Sequence, residues 1–254
     1  MNADSSGHFP SAAAPRAAVP ILALDVPSAE EAFALVERVP RADFVKVGLQ
    51  LFTAEGPAVV RQLRARGRRV FLDLKLHDIP NTVAGAVESA AKLGVDLLTV
   101  HASGGEVMLR AAVEAAERAL EPPQLLAVTV LTSFSAEGLG QAWGREALDV
   151  EREVVRLATL ARDAGIPGVV ASVREVTPIR AALGHSLRIL TPGIRLAGDA
   201  PGDQTRIATP AEAVRLGSDY LVIGRTVTAA PDPAAAFDRV LAELEGLSVE
   251  ARSG

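Results

Sequence analysis

Four charged residues stand at or near the ends of three short apolar runs in the N-terminal part of the chain. They are Asp25, Lys46, Asp73 and Lys75. Because a charged side chain on a buried strand is costly unless it is paired, we expect these groups to form one alternating network. A fixed ammonium group in such a network can stabilise developing negative charge and then deliver a proton. The alternative is a set of internal salt bridges that only neutralises itself.

Two polar segments near the C-terminal end have the composition of an anion site. Thr191-Pro192-Gly193-Ile194-Arg195 follows one apolar run, and Gly224-Arg225-Thr226 follows the next. Glycines let backbone N–H groups approach an anion, and arginine can bind it through two donors. We therefore interpret Gly224 and Arg225 as a phosphate site. The polar stretch at residues 196–205 is predicted to be a lid that closes over the phosphate.

The loop after Lys75 contains polar residues that have simpler interpretations. The spacing of Asp78 and Thr82 favours a turn residue and a helix cap, respectively, and His77 is interpreted as structural. His101 ends another apolar run and is more typical of a hydrogen-bonded core or rim residue than of a catalytic group. Spacing alone therefore gives these residues no chemical role.

These candidates need a scaffold that brings distant segments together. From Pro20 onward, eight apolar runs alternate with stretches in which apolar residues recur three and four apart, as amphipathic helices require. The apolar runs are 21–25, 44–47, 70–75, 97–100, 125–131, 168–171, 188–190 and 220–223. Helices are predicted at 28–39, 54–66, 82–93, 105–120, 150–164, 174–183, 210–216 and 232–244.

Eight strands alternating with eight helices predict an α/β fold that closes into a (β/α)₈ TIM barrel rather than an open sheet. We expect one barrel domain at residues 20–254 and a flexible tail at residues 1–19. In this fold the active site lies at the C-terminal ends of the strands, and the last two loops commonly bind phosphate. Since alternate residues of a strand share a face, Asp73 and Lys75 are both predicted to face the barrel axis.

Composition limits the classes of function. The chain has 254 residues, 49% of them hydrophobic, and a net charge of −5, so neither nucleic acid nor a membrane is an expected partner. The absence of cysteine excludes disulfides, thiolate metal sites and a cysteine nucleophile. The four histidines lack the spacing of a zinc site. We therefore expect a cytoplasmic protein without a bound metal.

The residues above resemble those of the orotidine 5′-monophosphate decarboxylases. The most specific segment is Asp73-Leu74-Lys75-Leu76-His77-Asp78-Ile79-Pro80-Asn81-Thr82. Supporting segments follow in the family's order, namely Leu24-Asp25, Val45-Lys46-Val47-Gly48, Leu131-Thr132-Ser133, Thr191-Pro192-Gly193-Ile194-Arg195, Gly202-Asp203-Gln204 and Ile223-Gly224-Arg225. The match extends from about Pro20 to Leu244.

The resemblance implies conversion of orotidine 5′-monophosphate to uridine 5′-monophosphate (UMP) and carbon dioxide, the last step of de novo UMP synthesis, without a cofactor. It also implies a homodimer whose active sites lie at the subunit interface. Lys75 would donate the proton, and Asp73 would face the departing carboxylate. Asp25 and Lys46 would hold the ribose hydroxyls and orient Lys75.

The resemblance assigns Asp78 to catalysis and the remaining candidates to substrate binding. Asp78 and Thr82 would reach into the neighbouring subunit's site. Thr132 would lie by the pyrimidine, although Ser135 is an alternative contact for the base. The inferred phosphate ligands are Gln204, Gly224 and Arg225. Arg195 also matches a substrate-contacting position.

Two other functions compete with this interpretation. Sugar-phosphate decarboxylases and hexulose-phosphate synthases of the same barrel superfamily use a similar Asp-x-Lys-x-x-Asp segment with Mg²⁺, but the positive charge of Lys46 disfavours a nearby metal. A non-catalytic nucleotide-binding barrel would need the phosphate loops but not the charged network.

Overall fold

The computed structural model describes residues 18–146, 148–198 and 208–253. The first strand begins at Val19, so the barrel starts one residue earlier than the predicted boundary. The rest of the predicted tail, apart from residue 18, lies outside the described residues. Gln204 and most of the predicted lid at 196–205 also lie outside them.

Within the described residues, eight parallel strands close into a barrel in chain order, which confirms the predicted fold. The strands are β1 (Val19–Ala23), β2 (Phe44–Gly48), β3 (Arg69–Leu76), β4 (Leu97–His101), β5 (Gln124–Val128), β6 (Gly168–Val170), β7 (Arg188–Ile194) and β8 (Tyr220–Ile223). The barrel closes because β8 pairs with β1. Asp25 was predicted to end the first strand, but it lies just beyond it.

Helices cover the outside of the barrel. They are α1 (Ala29–Arg38), α2 (Leu49–Glu55), α3 (Pro57–Ala65), α4 (Pro80–Ala91), α5 (Gly105–Glu117), α6 (Ala136–Trp143), α7 (Val150–Asp163), α8 (Val173–Leu183), α9 (Pro210–Leu216), α10 (Arg225–Thr228) and α11 (Pro233–Ser253). The single helix predicted at 54–66 is wrong: Gly56, at φ +63°, separates α2 from α3, and Pro57 opens α3. In the described part of the chain, no helix has both the length and the apolar character needed to cross a membrane.

Two apolar regions position the polar residues of the barrel. The larger one packs between the strands and the helices, and the smaller one fills the barrel interior. The interior set includes Ile21, Phe44, Phe71, Leu97, Leu126 and Leu190. Because side chains alternate along a strand, the next inward positions on β2, β3 and β4 are Lys46, Asp73 and Thr99. These polar residues form a layer above the apolar interior, towards the carboxyl ends of the strands.

A carboxylate ties the amino ends of β3 and β4 together. Asp96, just before β4, accepts hydrogen bonds from Arg64 at 3.1 Å and Arg69 at 3.0 Å. Its carboxylate also accepts from the Val70 N–H at 2.9 Å. We call this arrangement the Asp96 clamp.

The same arrangement recurs four strands further along the chain. Asp219, just before β8, accepts from Arg180 at 2.7 Å and Arg188 at 2.6 Å. The Ile189 N–H donates to the same carboxylate at 2.8 Å. This Asp219 clamp fixes the amino ends of β7 and β8.

Candidate active site

A cavity of about 470 Å³ opens at the carboxyl ends of the strands, a size that suits a small-molecule ligand. Its charged lining residues are Asp25, Lys46, Asp73, Lys75, Arg195 and Arg225. Four cations against two carboxylates give these residues a net formal charge of +2, whereas the whole chain carries −5. The cavity therefore favours an anionic ligand through local charge.

One side of the cavity holds the alternating network of charges. Lys46 Nζ lies 2.7 Å from Asp25 Oδ1 and 4.0 Å from Asp73 Oδ2. Lys75 Nζ lies 2.8 Å from the same Asp73 oxygen. The exposed fraction of the side chain falls from 63% at Asp25 to 10% at Lys46 and 14% at Asp73. At that burial, loss of one charge would leave its partner poorly compensated.

Gly48 makes room for the ion pair at the rim. A Cβ atom at this position would lie 3.0 Å from Lys46 Nζ and 3.3 Å from Asp25 Oδ1. A larger residue would therefore push the ammonium group away from its place in the network. The glycine of the Val45-Lys46-Val47-Gly48 segment thus has a packing role beside its lysine.

The backbone of β3 is irregular where it carries the two reactive candidates. Leu72 pairs with Leu98 and Leu76 pairs with Val100, so three residues of β3 lie opposite Thr99. Lys75 has φ +51° and is the one non-glycine residue with a positive φ in the described part of the chain. Such strained backbone is found mainly at functional sites. The predicted sides hold despite the irregular pairing, because Asp73 and Lys75 both line the cavity and Leu74 packs against the outer apolar region.

Thr99, which was not predicted from the sequence, connects the irregular segment to the network. Its hydroxyl accepts from the Lys75 N–H at 2.9 Å and donates to Asp73 Oδ1 at 2.9 Å. The residue is fully buried. The available signal was a threonine inside the apolar run 97–100, where a buried hydroxyl needs partners.

The inferred binding residues line the cavity from β7 and from the segments that follow β5, β7 and β8. These residues are Thr132, Gly193, Arg195, Gly224 and Arg225. Arg195 is buried, and its Nη1 donates to the Ile194 carbonyl at 3.0 Å. Gly193 has φ +82°, a conformation that favours glycine. Two cations thus line the same cavity as the Asp/Lys network.

The loop after β5 distinguishes the two candidates for the base contact. Ser135 is the N-cap of α6, and its hydroxyl accepts from the Gly138 N–H at 3.0 Å. Thr132 lines the cavity, whereas Ser135 does not. The serine hydroxyl thus caps α6, and Thr132 is the one of the two that lines the cavity.

Comparison with known proteins agrees with this geometry. The model of the orotidine 5′-phosphate decarboxylase / HUMPS family matches residues 19–240. The chain belongs to this family. The resemblance predicted from the sequence is thereby confirmed over nearly all of the barrel.

Individual members of the family are similar to this chain in sequence and in fold. An orotidine 5′-phosphate decarboxylase of Moorella thermoacetica is 54% identical over 231 residues, which are 89% of this chain and 91% of the relative. One of Geobacter sulfurreducens is 56% identical over 207 residues, 80% of this chain and 86% of the relative. The crystal structure of the Lactobacillus acidophilus orotidine 5′-phosphate decarboxylase has a TM-score of 0.79 at 37% identity, covering 89% of this chain and 99% of that one.

Two candidate site residues in the segment from Asp73 to Thr82, which resembles the orotidine 5′-phosphate decarboxylases, lie away from the cavity of their own chain. Asp78 and Thr82 are exposed and do not line it. Asp78 Oδ1 accepts from the Ile79 N–H at 2.6 Å, as a turn residue would. The capping role that spacing favoured for Thr82 is wrong, because α4 begins at Pro80 with Ile79 at the cap.

Two histidines stack beside the network in this decarboxylase-family barrel. The ring centroids of His77 and His101 lie 5.1 Å apart, with an angle of 22° between the planes. His101 Nδ1 lies 2.8 Å from Ser103 Oγ. Burial lowers the pKa of His101 below its ordinary value, and the positive charges of His77 and Lys75 lower it further. The structure therefore favours the neutral imidazole at His101.

This neutral histidine makes the stability of the barrel depend on pH. Because the pKa of His101 is lower in the folded state, the unfolded chain binds the proton more readily, and stability falls as pH drops below the ordinary value of about 6.5. We expect His101→Asn to lose less thermal stability than the wild type between pH 7.5 and pH 5. Unfolding temperatures across that range test this, with the exposed His185→Asn as control. Identical slopes for His101→Asn and the wild type would contradict it.

Proposed function

We propose that this chain decarboxylates orotidine 5′-monophosphate to UMP in de novo pyrimidine synthesis, without a cofactor. The observation that carries the proposal is the Asp73–Lys75 pair, with a contact of 2.8 Å, in the cavity that Arg195 and Arg225 also line. The pair supplies a carboxylate and a proton donor, and the arginines suit a phosphorylated substrate. The cytoplasmic location expected from the sequence is part of the proposal.

In the proposed reaction, Lys75 is the proton donor. The bond between the ring carbon and the substrate carboxylate breaks, carbon dioxide leaves, and the electron pair remains on the ring carbon. The Lys75 ammonium stabilises this developing charge and then donates a proton to the same carbon. The neutral amine recovers its proton from water. Arginine could not serve here, because it does not release a proton in proteins.

Asp73 is proposed to act on the substrate carboxylate. A second carboxylate held beside it would raise the energy of the bound substrate, and departure of carbon dioxide would relieve the repulsion. The contacts of Asp73 with Lys75, Lys46 and Thr99 keep this carboxylate in place. Asp25 and Lys46, at the rim, are proposed to bind the ribose hydroxyls and to orient Lys75.

The phosphate is proposed to bind far from the bond that breaks. Gly224, Arg225 and Gln204 are its proposed ligands, while Thr132 meets the pyrimidine and Arg195 contacts the substrate. Binding energy from a remote phosphate can hold the ring against the charged network and so favour the transition state. The lid predicted at 196–205 would close over this end of the substrate.

Arg225→Ala is expected to lower kcat/KM by about 10- to 100-fold, mainly through a higher KM. The reason is the loss of a hydrogen bond from a charged donor to the phosphate, worth about 1.5–3 kcal/mol. Steady-state kinetics measure both constants. Arg215→Ala, an exposed residue in the last turn of α9, is the matched control. An unchanged kcat/KM in Arg225→Ala would mean that the phosphate binds elsewhere.

A homodimer with shared sites is also proposed. Asp78 does not line the cavity of its own chain, so a role in the reaction requires a second subunit. Large apolar side chains are exposed on segments that follow β2, β3 and β4: Leu49 is 53% exposed, Ile79 67% and Val107 72%. Apolar groups exposed on adjacent segments are typical of a protein interface. Together these features favour this end of the barrel as the contact between subunits.

The proposed activity is tested by the change in ultraviolet absorbance when the purified protein is mixed with orotidine 5′-monophosphate in excess chelator. We expect full turnover. Activity that requires Mg²⁺ would instead favour the metal-dependent relatives. The position of Lys46 Nζ between the carboxylates of Asp25 and Asp73 makes that result unexpected. Binding of UMP without turnover would favour a non-catalytic nucleotide-binding barrel.

A further inference from the structure

The irregular segment of β3 leaves one backbone group to be satisfied by a side chain. Between the pairs Leu72–Leu98 and Leu76–Val100, β3 has two more residues than β4. At the end of this extra length, the N–H of Lys75 donates to Thr99 Oγ1 instead of to a neighbouring strand's carbonyl. The left-handed backbone of Lys75 is thus held by a side chain of β4.

The same hydroxyl also fixes the carboxylate of Asp73. Thr99 Oγ1 donates to Asp73 Oδ1 at 2.9 Å, while Lys75 Nζ donates to Oδ2 at 2.8 Å. With both oxygens bound, the carboxylate cannot rotate without breaking a hydrogen bond. Thr99 therefore links the backbone of one reactive residue to the side chain of the other.

Thr99 lies outside the lining of the cavity. It is fully buried and does not line the space where a ligand would bind. The preceding inward residue of β4 is Leu97, an apolar residue of the barrel interior. In the described part of the chain, the Thr99 hydroxyl at the next inward position accepts from the Lys75 N–H and donates to Asp73, so both of its hydrogen-bonding roles serve the two reactive residues.

We propose that Thr99 is a positioning residue that keeps Asp73 and Lys75 in their reactive arrangement. The inference rests on the proposed decarboxylation. Without the hydroxyl, the Lys75 N–H loses its acceptor, and the strained backbone of Lys75 is no longer held in its left-handed conformation. The Asp73 carboxylate also becomes free to turn. Both changes move the proton donor and the carboxylate relative to the substrate but leave the phosphate side of the cavity intact.

The test compares Thr99→Val with Thr129→Val. Valine keeps the size of threonine and removes the hydroxyl. Thr129 is also fully buried, but its hydroxyl donates at 3.0 Å to the Val170 carbonyl, away from the network. We expect Thr99→Val to lower kcat by about 10- to 100-fold, as misplacement of reacting groups does, with KM changed less than about threefold. Thr129→Val is expected to keep kcat within about twofold, and Thr99→Ser to keep at least about half of it.

Three outcomes would overturn the proposal: a kcat in Thr99→Val equal to that of Thr129→Val, a loss confined to KM, or failure of Thr99→Ser to retain activity. If Thr99→Val does not fold, Thr99→Cys replaces it, because a thiol is a weaker donor and acceptor. Equal kcat in Thr99→Cys and Thr99→Ser would then reject the role. Absence of turnover in the wild type would reject the proposed function itself, so the two failures are distinguishable.

Discussion

Lys75→Ala is expected to lower kcat by more than about a thousand-fold, since it removes both the proton donor and the positive charge beside the reacting carbon. The barrel should remain folded, because Lys75 is partly exposed and its backbone bond to Thr99 does not need the side chain. Affinity for UMP should change little, since the proposed phosphate ligands Gly224 and Arg225 follow β8, whereas Lys75 is on β3. Steady-state kinetics and UMP titration measure these effects.

Lys92→Ala is the matched control for this prediction. Lys92 is exposed at the end of α4 and is the only lysine in the sequence other than Lys46 and Lys75. Its removal should leave kcat unchanged. A Lys75→Ala enzyme that retains even a tenth of the wild-type kcat would exclude Lys75 as the proton donor.

Mixing two inactive homodimers, one with Lys75→Ala and the other with Asp78→Asn, is expected to restore about a quarter of all active sites. If Asp78 serves the partner's cavity, each mixed dimer contains one site with both substitutions and one site with neither. Random exchange makes about half of the dimers mixed, and half of their sites intact. Activity is measured after exchange and compared with that of the wild type at equal concentration.

A second mixture controls for effects of exchange itself. Lys75→Ala mixed with Asp73→Asn should stay inactive, because these two side chains lie 2.8 Å apart in the cavity of one chain. Every site then keeps one substitution. If the Asp78→Asn mixture also remains inactive although subunits exchange, Asp78 is left with the turn contact to Ile79 and no part in a shared site.

The barrel could be predicted from the sequence because its elements have local signals. The bounds of β8 and α9 agree with the prediction residue for residue, since Thr209-Pro210 opens α9 and Gly217 ends it. The break between α2 and α3 had a signal too, in Gly56-Pro57, but the apolar periodicity of the region obscured it. α6 was missed because its eight residues include two glycines, which are poor helix formers.

The site was predictable in its residue types but not in its construction. The alternation of Leu72, Leu74 and Leu76 with polar residues is that of a regular strand, so nothing local indicates the irregular pairing of β3 with β4. The pairing register depends on residues more than twenty positions away. For the same reason, the sequence could not show that Thr99 lies opposite this segment, or that the hydroxyl of Ser135 is occupied by a helix cap.

The two clamps at the amino ends of the strands occupy corresponding positions in the two halves of the barrel. The Asp96 clamp joins β3 to β4, and the Asp219 clamp joins β7 to β8, four strands later. Each half-barrel, β1–β4 or β5–β8, is therefore anchored by its own aspartate at its base.

The carboxyl ends of the strands carry different functional residues in the two half-barrels. The reactive charges and Thr99 are on β1–β4, whereas the candidates for recognition of the base and the phosphate follow β5, β7 and β8. We propose that the reacting charges belong to the first half-barrel and the recognition of the base and the phosphate to the second, while Asp25 and Lys46 of the first half also bind the ribose. Substitutions in the second half-barrel are therefore expected to change recognition of the base or the phosphate and to leave Lys75 and its contacts with Asp73 and Thr99 in place.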